Sequence, residues 1–174
     1  MKKQLIIVYT RISLLFCMAL LLNACTNKVL NTSNYELAPQ EINKAVLLQE
    51  INAFRKRGCR CGSVKFMPTH ALKWNKNLET AALKHSQVMK KTNYFSHEEK
   101  RGPDVAERVK NTGYTDWSTV GENIAMGYAT EKEVVAGWIK STGHCSNIMN
   151  PDFDELGAST SGVYWTMVFA GRKN

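Results

Sequence analysis

Apolar residues between positions 41 and 170 recur at two different spacings, and this mixture limits the folds open to the chain. Helical spacing predicts four helices, over 41–57 and 77–92, after Pro103-Asp104 as far as Gly113, and from Thr130 to Gly143. Residues 163–170 are instead rich in β-branched and aromatic side chains, which predicts a buried strand, and 72–74 is a short extended piece. Residues 157–161 are small and turn-like at both ends, and Arg108 is expected to pack inward from the third helix. Helices outnumber strands and do not alternate with them, so the sequence predicts an α+β fold.

The amino terminus has the layout of a secretory signal peptide. Lys2 and Lys3 precede a run of eleven residues over 12–22 that is apolar except for one serine. A membrane-spanning helix needs about 20 residues, so this run is too short to cross. Extending it back to Leu5 would place Arg11 in the hydrocarbon, which is costly.

The apolar run ends in Leu22-Asn23-Ala24-Cys25, which resembles the lipobox of bacterial lipoproteins. The resemblance implies cleavage before Cys25 and acylation of that residue, with more than one acyl chain needed for stable anchoring. The alternative is that Cys25 is merely a small residue near an ordinary cleavage site. Residues 26–40 are polar and predict a flexible tether. The predicted organisation is a signal peptide over 1–24, a tether over 25–40 and one domain over 41–174.

The charge of the exported part is mildly positive. The first 24 residues contain three basic side chains and no acidic one, and the 20 basic and 15 acidic residues that follow give a net charge of +5. This charge suits weak attraction to an anionic envelope surface and is too diffuse to indicate nucleic-acid binding.

Three short segments each place an ionisable residue beside a glycine or a turn: Phe-Ser-His ending at His97, Gly-Glu-Asn-Ile-Ala over 121–125, and Gly-His-x-x-Asn-Ile-Met over 143–149. In this order they resemble the signature of bacterial proteins of the CAP superfamily (cysteine-rich secretory proteins, antigen 5 and pathogenesis-related proteins). Leu72-Lys73-Trp74-Asn75 and the final segment 164–169 are similar to the family's opening and closing pieces. The resemblance spans about residues 44–171.

The resemblance implies an α-β-α sandwich, with a central antiparallel sheet between helical layers, and a cavity where histidine and glutamate side chains converge. By position, the cavity residues are His97, Glu122 and His144. Eukaryotic members have a tetrad of two histidines and two glutamates. This chain departs from it, with Ser141 in place of the second glutamate and Tyr-Trp-Thr-Met over 164–167 in place of His-Tyr-Thr-Gln.

Two imidazoles and one carboxylate are compatible with two different roles. His97, Glu122 and His144 could bind a divalent metal such as Zn²⁺ with open positions for water or ligand, or form a hydrogen-bonded cluster that joins three loops. Catalysis is the weaker interpretation. The sequence has no His-Glu-x-x-His and no Gly-x-Ser-x-Gly, and a serine beside a histidine in sequence says nothing about geometry. The serines concerned are Ser96, Ser141 and Ser146.

The two other histidines have a structural interpretation. His85 lies on the apolar stripe of the second predicted helix, so we expect a partly buried, hydrogen-bonded side chain rather than a ligand. His70 follows Pro68-Thr69 in a predicted turn, where we expect it to be exposed to solvent.

Three cysteines, Cys59, Cys61 and Cys145, lie in the predicted domain, and an oxidising envelope makes one disulfide plausible. The family resemblance implies a bond between Cys61 and Cys145 that leaves Cys59 over, although the residues alone leave open which of Cys59 and Cys61 pairs with Cys145. A zinc site with His144 fits less well, because one residue separates Cys59 from Cys61 where zinc sites usually have two to four.

The sequence leaves three classes of function. The first is an exported, lipid-anchored binding module at the cell envelope (at the outer membrane if the cell is Gram-negative) for a lipid, glycan or protein ligand, with or without a divalent metal. The second is a metal-assisted hydrolase of peptide or cell-wall material. The third is a structural domain without a small ligand. The first is preferred, because a binding role for an anchored, mildly basic domain with an incomplete tetrad requires no catalytic groups.

Overall fold

A computed structural model describes residues 41–173. The predicted signal peptide, the lipid attachment site Cys25 and the tether lie outside the described residues. Within the described part, no helix has the length and apolar character needed to cross a membrane.

The domain contains five helices and six strands in the described range. In chain order they are α1 (Lys44–Arg57), β1 (Cys59–Cys61), β2 (Val64–Phe66), β3 (Lys73–Trp74), α2 (Lys76–Thr92), α3 (Val105–Lys110), β4 (Trp117–Met126), α4 (Glu131–Lys140), α5 (Thr142–Met149), β5 (Glu155–Ser161) and β6 (Tyr164–Arg172).

The main sheet has the strand order β3-β5-β6-β4, and β1 and β2 form a separate antiparallel hairpin. Strand β6 is antiparallel to both of its neighbours, β4 and β5, as the family resemblance implied. The two-residue edge strand β3 differs, because it runs parallel to β5 and pairs Lys73 with Glu155. The register of β4 on β6 sets Glu122 opposite Val168.

Helices cover both faces of this sheet. Consecutive side chains of β6 point to opposite faces, so Val168 packs with Leu78 and Ala82 of α2, while Phe169 packs in the second core that α1, α4 and α5 cover. The chain is therefore the predicted α+β fold with an α-β-α arrangement.

Three details differ from the sequence-based expectations. The helix expected over 130–143 ends at Lys140, because Ser141 is extended (φ −90°, ψ 123°), and α5 starts immediately afterwards. Residues 157–161, expected to be turn-like, belong to β5, and the segment 121–125 lies inside β4. Gly157 allows α2 to approach closely, because a Cβ atom there would lie 2.5 Å from the carbonyl carbon of Leu78.

A fully buried arginine holds several chain segments together. Arg55, near the end of α1, is 0% exposed. Its guanidinium donates to four backbone carbonyls, those of His70 (2.7 Å), Ile148 (2.9 Å), Asn150 (2.8 Å) and Phe153 (3.1 Å). Burial lowers the pKa of Arg55 to about 10, and the nearby Asp154 opposes that shift, so the side chain is charged at neutral pH.

Replacing this guanidinium should destabilise the whole domain. We expect Arg55→Met to lower the free energy of unfolding by about 3 kcal/mol or more, because each buried carbonyl without a donor costs about 1–3 kcal/mol. Urea denaturation measures the difference. The control is Lys56→Met, a change at the next, exposed residue, which should stay within about 0.5 kcal/mol of the original chain. Similar losses in both variants would contradict this role for Arg55.

Candidate functional site

The centre of the candidate site is a buried carboxylate on β4. The side chain of Glu122 is 3% exposed and lies in the middle of β4. Its Oε1 is 2.9 Å from Nδ1 of His97, and its Oε2 accepts a hydrogen bond of 2.6 Å from Nη2 of Arg108. The structure therefore brings two of the three predicted cavity residues into direct contact, and it adds an arginine.

Arg108 comes from the inward face of α3 and is 2% exposed. Its Nη1 donates to the carbonyl of Pro103 (2.8 Å) and lies 3.5 Å from Oε1 of Glu99. The buried Nε is the one buried side-chain nitrogen or oxygen in the described part of the chain without a hydrogen-bond partner. Because an unmade hydrogen bond of a buried charged group is costly, this atom marks a place where an external acceptor would be favourable.

His85 belongs to the same network. As expected, it is buried and hydrogen-bonded, with Nδ1 3.1 Å from Oε1 of Glu99 and Nε2 2.9 Å from the carbonyl of Ser96. Both partners offer acceptor oxygens to the ring. His85 also lies 3.8 Å from Glu122, which makes it part of the site rather than only of the core. Two carboxylates, those of Glu99 and Glu122, then lie beside Arg108 and His85.

The two remaining motif histidines lie at the outer side of this network. The side chain of His97 is 52% exposed, and the ring of His144 is half-buried, with its centroid 6.4 Å from that of His97. Burial lowers the pKa of His144, and positive charge on His97 lowers it further. His144 is therefore neutral at physiological pH.

Two asparagines connect the glycine-containing motifs. Nδ2 of Asn147 in α5 donates to the carbonyl of Glu122 (3.1 Å) and to Oδ1 of Asn123 (2.9 Å), and Nδ2 of Asn123 donates to the carbonyl of His144 (3.0 Å). These bonds fix α5 against β4, which places His144 beside the network.

The residues present do not fit a divalent metal held by His97, Glu122 and His144. Within residues 41–173, only Cys59, Cys61 and Cys145 bring three potential donor atoms within 4.8 Å of one another. Both carboxylate oxygens of Glu122 already accept hydrogen bonds, and a guanidinium lies on one of them. Metal binding by these three residues stays a prediction that needs rearranged side chains.

Two of the serines considered as nucleophiles are engaged with the backbone. Oγ of Ser96 accepts from the amide of Glu98 (3.1 Å), and Oγ of Ser146 donates to the carbonyl of Thr142 (2.8 Å). A hydroxyl that donates its proton to a carbonyl is not activated by a base, so the contact of Ser146 does not support a nucleophile there.

A disulfide joins Cys61 of the β1–β2 hairpin to Cys145 of α5, with Cα atoms 5.4 Å apart. This is the pairing that the family resemblance implied. Cys59 has a free thiol and is half-buried. His70, predicted to be exposed, is exposed, with Nε2 3.0 Å from the carbonyl of Phe153.

A groove of about 410 Å³ adjoins the buried network. One wall is a face of α2, and the other comes from residues between 99 and 111. The lining residues are Lys84, Gln87, Val88, Lys91, Glu99, Pro103, Arg108 and Asn111. A smaller cavity of about 110 Å³ shares Val88 and Glu99 with it and is also lined by His85. Two larger depressions, each about 550 Å³, are lined by none of the network residues.

A family model described as the Cysteine-rich secretory protein family, CAP, matches residues 48–169. The chain belongs to the CAP family. Two Bacillus subtilis proteins are similar: YkwD is 39% identical over 103 residues and the membrane protein YlbC is 36% identical over 101 residues. Each match covers 58% of this chain, but only 40% of YkwD and 29% of YlbC, so this CAP chain spans less than half the length of these relatives.

Solved structures agree with the family. An extracellular protein of Bacillus anthracis with an SCP domain superposes with a TM-score of 0.65 at 26% identity, over 74% of this CAP chain and 40% of that one. An outer surface protein of Borrelia burgdorferi gives a TM-score of 0.62 at 20% identity, over 78% of this chain and all of that one, which shows the shared fold alone.

Sequence reasoning missed three members of the network. Arg108 was expected to pack inward, but nothing in the sequence links it to Glu122 on another element. Glu99 lies in an irregular segment without periodicity, and the core position of His85 concealed its contacts with carboxylates. The sequence did contain one usable signal, which is a charged residue at a position predicted to face the core. A buried charge requires a partner, so such a residue predicts an ion pair.

The occupied state of Glu122 has a measurable consequence for metal binding. We expect Zn²⁺ to bind the CAP protein no more tightly than it binds the triple variant His97→Ala, Glu122→Ala, His144→Ala, because Arg108 already neutralises the carboxylate. Calorimetric titration compares the original chain with the triple variant. Any zinc binding by the Cys59 thiol is the same in both proteins, because both contain it. Saturable binding that disappears in the triple variant would instead establish the metal site.

The lowered pKa of His144 predicts an acid-sensitive contribution to stability. In the unfolded chain this histidine titrates near the ordinary value of 6.5, so below that pH the unfolded state binds the proton more readily than the folded state. The contribution is therefore complete above pH 6.5 and is lost as the pH falls below it. An NMR titration of the His144 ring should give a pKa below 6.5 that rises in His97→Gln. A pKa at or above 6.5 in the original chain would refute the assignment.

Proposed function

We propose that this CAP domain is a binding module that takes an anionic, partly apolar ligand in the groove between α2 and α3. The observation that carries the proposal is Nε of Arg108, which is buried, lacks a partner and belongs to a residue that lines the groove. A carboxylate or phosphate oxygen of the ligand would accept from it, and a charge-assisted bond of this kind is stronger than a neutral one.

The walls of the groove suit a ligand with an acidic head and an apolar body. Lys84 and Lys91 are exposed and lie seven residues apart on α2, hence on one face of that helix. Val88 lies between them, and Pro103 faces them across the groove. Two cations at the rim and apolar side chains between them favour a fatty acid or another anionic lipid over a neutral glycan.

Binding is preferred to catalysis because the ionisable groups of the network are bonded to one another. Glu122, Arg108 and Glu99 form close ion pairs, and such paired groups hold a site together more readily than they transfer protons to a substrate. The alternative is a metal-assisted hydrolase at His97, Glu122 and His144, which the zinc titration above distinguishes. The proposal itself includes no metal ion.

We further propose that the protein is exported and held at the cell envelope by acyl chains on Cys25, in contact with the membrane. The similar protein from Bacillus anthracis is an extracellular protein, which supports export. The Leu-Asn-Ala-Cys pattern over 22–25 supports lipidation. An anchored domain with a groove for anionic amphiphiles would meet its ligands in or near that membrane.

Calorimetric titration with laurate, below its micellar concentration, tests the proposal. We expect saturable binding that is at least about tenfold weaker in Lys84→Glu/Lys91→Glu, equivalent to about 1.4 kcal/mol. Lys65→Glu, which reverses an exposed charge on β2 away from the groove, is the matched control and should bind like the original chain. Dodecanol, with the same apolar chain and no charge, should bind less tightly than laurate. Equal affinity for laurate and dodecanol, or for the double variant and the control, would refute the proposal.

A further inference from the structure

Three sulfur atoms lie together where β1 meets α5. Sγ of the free Cys59 is 3.7 Å from Sγ of Cys145 and 3.9 Å from Sγ of Cys61. Cys61 and Cys145 already form the disulfide. A free thiol therefore contacts both sulfur atoms of an existing disulfide.

The three cysteines differ in their access to solvent. Cys61 and Cys145 are both 0% exposed, whereas Cys59 is half-buried. A thiol in solution cannot reach a buried disulfide in the folded protein, because attack requires contact with a sulfur atom. Within the cluster, Cys59 is the residue that such a reagent can reach.

The local chain geometry explains why two cysteines compete for Cys145. Cys59 and Cys61 are separated by one residue on β1, so their side chains point to the same side of the strand. The hairpin turn also packs against the start of α5, since a Cβ atom on Gly62 would lie 2.7 Å from Oγ1 of Thr142. Both β1 cysteines consequently face the helix that carries Cys145.

We propose that Cys59 is the exchange thiol of the Cys61–Cys145 disulfide, and that electrons enter and leave this buried bond through it. In the first step, the Cys59 side chain moves from its side-on position into line with the S–S bond, and its thiolate attacks Sγ of Cys145. A Cys59–Cys145 bond forms, the Cys61–Cys145 bond breaks, and Cys61 leaves as a thiolate that takes up the proton given up by Cys59. This step is an isomerisation and needs no external oxidant or reductant.

The second step connects the cluster with a small thiol in solution, such as glutathione. Its thiolate attacks the accessible Sγ of Cys59, which forms a mixed disulfide and releases Cys145 as a thiolate. A second molecule attacks the small-molecule sulfur of that mixed disulfide and releases Cys59. In sum, two thiols are oxidised to one small disulfide, and the protein disulfide is reduced to the thiols of Cys61 and Cys145. The reverse sequence forms the buried bond from an external disulfide.

The exchange changes the attachment of α5. In one isomer the helix is tied to Cys61 at the end of β1, and in the other to Cys59 at its beginning, two residues away. His144 directly precedes Cys145, so the same helix turn carries a candidate site residue. The proposal does not depend on the ligand in the groove.

The first test is the rate at which reduced glutathione reduces the native protein at pH 8.5. An alkaline buffer is chosen because burial raises the pKa of the Cys59 thiol. We expect Cys59→Ser and Cys59→Ala, which both retain the Cys61–Cys145 bond, to be reduced at least about tenfold more slowly than the original chain, because the intramolecular route is lost. Thermal unfolding of the three proteins checks that stability does not account for the difference. Equal rates would overturn the proposal.

The second test is the pairing in Cys61→Ser. We expect Cys59 to bond to Cys145 in this variant, so that iodoacetamide labels neither, and non-reducing peptide mapping should show the new cross-link. In the original chain, trypsin cleaves after Arg60 and so separates Cys59 from Cys61, which allows each label to be assigned. Two free thiols in a folded Cys61→Ser protein would overturn the proposal.

Discussion

The arrangement of the domain depends on the guanidinium of Arg55. A charged group without solvent must have acceptors for its N–H donors, and here the end of α1 obtains them from the segment before β3, the end of α5 and the loop that leads into β5. The end of a helix and two irregular segments are thereby fixed to one side chain. The positions of α5 and β5 relative to α1 follow from this requirement as much as from the apolar core.

Arg108, a second buried arginine, also needs acceptors for its N–H donors, but the fold does not supply all of them. All three nitrogens of Arg55 donate to backbone carbonyls, so the group is satisfied within the fold. Arg108 divides its donors among Glu122, Pro103 and Glu99 and retains an unpartnered Nε. The first arginine is therefore complete as a structural element, whereas the second has one donor left, which is the donor that the proposed ligand would use.

Local signals in the sequence predicted much of the fold. Helix α2 was expected over 77–92 and occupies Lys76–Thr92, because Asn75 caps it and its apolar stripe is unbroken. The break at Ser141 and the strand character of β5 depend on packing against distant elements, which no local pattern contains. At the site, the motifs identified Glu122 and His97, but the ion pair with Arg108 joins residues on different elements. Such partners are determined by the tertiary structure. The sequence could therefore indicate that a charged cluster exists but not which residues form it.

The hydrogen bonds of Asn147 have a consequence for how this domain varies over evolutionary time. One amide holds the carbonyl of Glu122 and the side chain of Asn123, so two motifs far apart in the chain share a single structural unit. A substitution at position 147 removes the donor that position 123 requires, and selection then acts on both positions jointly. Inheritance of the two motifs as a pair is the expected pattern among descendants of this sequence.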